Sequence, residues 1–74
     1  MPPVPILSAN EVVRVFESFG WWVSRSGNHI IMVREASNAS LSIPNHKEVA
    51  RGTLRALIRA ANLTVEEFTA AVER

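Results

Sequence analysis

Two histidines, His29 and His46, are the only side chains of this 74-residue chain that exchange a proton near neutral pH without strong perturbation by their surroundings. There is no cysteine nucleophile, no aspartate, and no pairing of glutamates of the kind that glycosidases or metal sites use. Ser26 stands three residues before His29, but no acid follows to complete a triad. Gly27 has no phosphate-cradling motif around it. Two histidines fall short of the three or four ligands that zinc takes, so neither a metal nor a cofactor is expected. What remains is histidine acid–base chemistry beside arginines. Cleavage of RNA through its 2′-hydroxyl needs that much: one group to deprotonate the nucleophile or protonate the leaving 5′-oxygen, and cations on the crowded phosphorane.

The charge distribution fits such a partner better than the net charge does. The total is only +1, but all seven acids are glutamate and seven of the eight basic residues are arginine. Arginine offers a planar donor fork to phosphate and stacks on bases. Lys47, Arg51, Arg55 and Arg59 cluster in one segment with a single glutamate, and the balance reverses from Asn62 onward. By themselves these residues leave two readings open. His29 is either an acid–base catalyst or a polar residue closing a hairpin turn, and His46 is a loop cation or an idle loop residue. Arg55 and Arg59, four apart, are a phosphate clamp or a solvated helix face. Trp21 and Trp22 are core or base-stacking residues, and their adjacency in a strand puts one on each side of a sheet.

The elements that must position these residues are well marked. Ser8-Ala9-Asn10-Glu11 has the form of a capping box, followed by Val12, Phe16 and Phe19 on one helical stripe and Gly20 as the stop. Trp21–Arg25 and His29–Arg34, separated by Ser26-Gly27-Asn28, read as a β-hairpin. Leu41-Ser42-Ile43, ended by Pro44, reads as a third strand. His29, Ile31 and Val33 share one face of their strand and Ile30, Met32 and Arg34 the other; both faces are apolar, so periodicity does not choose between them. After a polar connection, Thr53 is expected to cap a helix with Leu54, Leu57, Ile58 and Ala61 inward, which Asn62 breaks. Thr64-Val65-Glu66-Glu67 is a second capping box, opening a short helix with Val65, Phe68, Ala71 and Val72 inward. The expected organisation is an extended, proline-stiffened tail over 1–7 and a single domain over 8–74. The fold class is α+β: α-β-β-β-α with a three-stranded antiparallel sheet, helices on one face, and a short extra C-terminal helix. The longest apolar run is far below the ~20 residues that cross a bilayer, so the expected place is the cytoplasm, with no membrane partner.

The order of these features resembles the HicA family of toxins. The resemblance rests on Gly20-Trp21, Arg25-Ser26-Gly27-Asn28-His29, Ile43-Pro44-Asn45-His46-Lys47, Arg51-Gly52-Thr53-Leu54-Arg55-Ala56-Leu57-Ile58 and Ala61-Asn62-Leu63-Thr64, and runs from about Ser8 to Phe68. It implies a fold like that of double-stranded-RNA-binding domains, and an endoribonuclease that cleaves messenger RNA and is silenced by a HicB antitoxin. It implies that His29, after Gly27 and Asn28 at the start of the second strand, is the catalytic histidine. His46 and Gly52-Thr53-Leu54 fall on the family's element before the second helix. The chain departs from the family at Asn28, often serine, at Ile30, commonly a second histidine, and in Glu35–Ala39, where relatives tend to be basic. Arg25, Asn28, His46, Lys47, Arg55 and Arg59 are the candidate RNA contacts. The rival expectations are a module of the same fold that holds RNA without cutting it, and an adaptor domain with no salt-dependent RNA binding.

Overall fold

A computed structural model describes residues 4–73, and the first prolines of the expected tail, Pro2 and Pro3, lie outside them. The element order is α1 (Ala9–Glu17), β1 (Trp21–Arg25), β2 (His29–Arg34), β3 (Ser40–Pro44), α2 (Arg51–Ala60) and α3 (Val65–Val72). This is the expected α-β-β-β-α order with an added C-terminal helix, and the strands form one antiparallel sheet in the order β1-β2-β3.

Local chemistry explains most of the boundaries. The Ser8 hydroxyl accepts from the Glu11 N–H at 3.2 Å while the Glu11 carboxylate accepts from the Ser8 N–H at 2.9 Å. α1 closes at Ser18, and Gly20, at φ +95°, turns the chain into β1 in a conformation that favours glycine. At the other end of the chain, Thr64 and Glu67 form the same reciprocal pair, at 3.0 and 2.8 Å. α2 ends in a Schellman arrangement: Leu63 N–H donates to the Ile58 carbonyl and Asn62 N–H to the Arg59 carbonyl, with Asn62 at φ +62°.

Thr53 does not cap α2. The helix begins at Arg51, its cap position is Ala50 with no side-chain hydrogen bond, and Thr53 lies inside the first turn. The entry is fixed instead by Val49, which is buried and whose N–H donates to the Leu7 carbonyl at 2.8 Å. Anchored there, the chain turns helical before it reaches the threonine.

The core settles the question that periodicity left open. Trp21, Ile30, Met32, Leu41 and Ile43 are buried and lie on one face of the sheet, against Val12 and Phe16 of α1, Leu54 and Ile58 of α2, and Phe68 of α3. Phe16 and Phe68 meet with ring centroids 5.3 Å apart and planes tilted by 56°. Of the residues expected to point inward from α3, Phe68 is fully buried, while Val65, Ala71 and Val72 are half-buried at the edge of the core. Val4 and Leu7 are core residues as well, so the described part of the N-terminal segment is packed against the domain.

Among the described residues no helix covers the remaining sheet face. The pairs Trp22–Val33, Val33–Ser40, Ile31–Ser42 and His29–Pro44 carry its side chains.

Candidate active site

His29 is the first residue of β2, exposed, and sits on the open face of the sheet opposite Pro44. The backbone just before it is fastened from the next connection. Asn45 N–H donates to the Asn28 carbonyl at 3.1 Å, and the Asn45 side-chain amide donates to the Gly27 carbonyl at 3.0 Å. With the first of these bonds flanking it, the His29–Pro44 pair is the non-hydrogen-bonded kind, so the N–H that proline lacks is not needed there. Both fastenings end on main-chain atoms of the turn, which leaves the imidazole of His29 exposed to meet a ligand.

His46 belongs to the same corner. Its N–H turns back to the Pro44 carbonyl at 2.8 Å, and its own carbonyl accepts from the Ala9 N–H at the start of α1, at 3.0 Å. The connection after β3 therefore ties three things together: the hairpin tip, the N-terminus of α1 and, through Val49, the segment before α1. The side chains of Asn28, His46 and Lys47 are all exposed around it.

Arg25 reaches the same face through an irregularity. Strict alternation from Trp21 and Val23 would point it toward the helices. The register instead shifts between Val23, opposite Met32, and Arg25, opposite Ile31, so one extra residue is inserted in β1. The bulge re-aims Arg25 onto the face of Ile31 and His29, diagonally across the hairpin from the histidine.

Arg55 and Arg59 are placed elsewhere. They are exposed on the helical layer, where with Ile58, Leu63 and Val65 they line a shallow depression of about 140 Å³. At about 1.5 Å per residue Arg59 lies roughly 12 Å along the α2 axis from Arg51, and α2 packs on the face of the sheet opposite to the one that carries His29. The basic residues thus fall into two groups: Arg25 and Lys47 near His29, and Arg55 and Arg59 on the flank of α2. Arg51, which the sequence did not single out as a contact, is exposed at the first position of α2, next to backbone donors that no side chain caps.

A family model described as the HicA toxin of bacterial toxin–antitoxin systems matches residues 9–63. The chain belongs to the HicA toxin family. A comparison with curated proteins found no match. The HicA match includes the Asn45 connection, the hairpin it fastens and the whole of α2; α3 lies beyond it. As a HicA toxin the chain is one half of a toxin–antitoxin pair. Ile30, next to His29, is buried against the helices and paired with Ile43. No helix among the described residues is long and apolar enough to cross a membrane.

Proposed function

We propose that this HicA toxin is an endoribonuclease that cleaves messenger RNA in the cytoplasm, with His29 as its catalytic acid or base. The observation that carries the reading is the corner itself: an exposed histidine on a strand end whose backbone is clamped by Asn45, with Arg25 turned onto its face by a bulge. Rigid main chain under a free imidazole is what proton transfer at a bound phosphate needs.

In the proposed reaction the 2′-oxygen attacks the adjacent phosphorus as its proton leaves, and the bond from phosphorus to the 5′-oxygen breaks as that oxygen gains a proton. His29 serves one of these transfers. The products are a 2′,3′-cyclic phosphate and a free 5′-hydroxyl. Arg25 and Lys47 supply positive charge to the pentacovalent phosphorus, and Asn28 and His46 offer polar contacts at the same corner. Arg55 and Arg59, on the helical layer, serve only the part of the strand that runs past the edge of the sheet.

A protein with this activity has to be silenced in the cell that makes it. A HicB-type antitoxin that covers the His29 hairpin and sets carboxylates against Arg25, Lys47, Arg55 or Arg59 meets that need, since complementary charge steers association. The test is growth arrest on expression alone. His29→Ala, a change at an exposed strand end, should abolish arrest while the protein stays folded, and co-expressing a HicB-type antitoxin encoded beside it should restore growth to the wild type. Cleavage should persist in excess EDTA and leave cyclic-phosphate ends. A folded His29→Ala protein as toxic as wild type would refute the assignment.

A further inference from the structure

We propose that the helix-free face of the sheet is the track for single-stranded RNA, and that Trp22 on it stacks an unpaired base of the substrate. The inference rests on the ribonuclease reading and adds to it the path of the strand and a residue that holds it.

Trp22 is the observation to be explained. Its neighbour Trp21 is 3% exposed in the core, whereas Trp22, on the opposite face, is 53% exposed. Folding gains little from a large ring left half in water. The ring is nonetheless well placed: it stands across from Val33 on the face that carries His29 and the re-aimed Arg25. Ser40 and Ser42 add exposed hydroxyls to this face, and none of the residues paired across it is acidic. An aromatic platform, a guanidinium and hydroxyls without carboxylates suit a polyanion with flat bases and 2′-hydroxyl groups.

The strand must be single. In a duplex each base is already stacked on its neighbours, and none offers a face to Trp22. Geometry also fixes what Trp22 does. His29 and Val33 are four residues apart on β2, about 13 Å at the usual strand rise. The base on Trp22 is therefore not the one at the cleaved phosphate but another along the strand. Trp22 is a positioning residue whose removal weakens KM more than kcat.

The experiment measures binding of oligouridylate, oligoadenylate and an RNA duplex to the His29→Ala protein, in which the strand survives, with and without Trp22→Leu or Trp22→Phe. Cleavage by the active protein carrying the same changes is measured in parallel. Trp21 remains in every variant, so its emission reports the fold. Trp22→Leu should weaken single-strand binding roughly 5- to 100-fold and raise KM by a similar factor, Trp22→Phe should recover most of the loss, and the duplex should be little affected. Unchanged single-strand affinity and KM in Trp22→Leu would overturn the track while leaving the ribonuclease reading in place. Loss of antitoxin binding with RNA binding intact would overturn it in favour of a protein interface. If the protein with His29 intact cleaves no RNA, the ribonuclease reading falls first and the track with it.

Discussion

Removing the Asn45 side chain should separate the stability of the corner from its chemistry. Two hydrogen bonds fasten the backbone before His29, and Asn45→Ala deletes only one of them, from the side-chain amide to the Gly27 carbonyl; the backbone bond to Asn28 survives. The lost bond is exposed, so its net contribution is at the low end of the usual range, about 0.5–1 kcal/mol. For a domain of this size that lowers Tm by roughly 2–8 °C. The kinetic effect should be larger than that implies. Misplacement of a catalytic group by about 1 Å can cost on the order of 100-fold, and with one of two tethers kept we expect a fall in kcat/KM of about 10-fold. Asn45→Asp keeps the size and cannot donate, and it adds negative charge beside the phosphate, so it should be worse than alanine in cleavage. The assay pairs thermal unfolding with cleavage of a short labelled RNA. A wild-type kcat/KM in Asn45→Ala, whatever its Tm, would refute the claim that the tether positions His29.

Three further outcomes follow from other parts of the molecule. The Arg55→Ala/Arg59→Ala double variant should fold normally, since both side chains are exposed, and bind RNA more weakly with a shallower dependence on salt; an unchanged slope in a filter-binding series would make them a solvated helix face. Ala36, in the turn after β2, has φ +62°, so Ala36→Gly should relieve left-handed strain and stabilise by about 0.5–1 kcal/mol, read as a rise in the denaturant midpoint. The Glu11 carboxyl is held below its ordinary 4.5 first by the Ser8 backbone N–H, then by the Ser8 hydroxyl and Arg14. A depressed folded pKa means that this contribution is complete above the ordinary value and is lost as pH falls through the depressed one. The stability advantage of wild type over Glu11→Gln should therefore be larger at neutral pH than in acid, and a difference independent of pH would show that the ionised carboxylate contributes nothing.

Features that a few neighbouring residues determine were readable in the sequence. Both capping boxes, the Gly20 and Asn62 stops and the three strands depend on side chains within four positions of one another, and each stands where it was expected. The face of β2 was not readable, because Ile30 and Met32 alternate with Ile31 and Val33 and only the packing of three helices decides between them. Thr53 misled because the anchor that starts α2 is a bond from Val49 to Leu7, far away in sequence. At the candidate site, the resemblance pointed to His29, but nothing in Trp21–Arg25 marks a bulge. No glycine stands there, and without the register Arg25 would have been assigned to the wrong side of the sheet. The role of Asn45 was hidden for the same reason: its partners are 17 and 18 residues away.

The bulge has a bearing on solubility too. A three-stranded meander has two edges, and each is a ready template for pairing with another chain. On β1 the inserted residue breaks the even row of backbone donors and acceptors, and the strand ends on a charged arginine. The other edge, β3, is five residues long and ends in Pro44, which has no N–H to offer. With both borders of the sheet blunted, copies of the molecule have little means of zipping together strand to strand. A small toxin that must stay available to an antitoxin, rather than condense into fibrils of itself, keeps its sheet open on one face and closed along its margins.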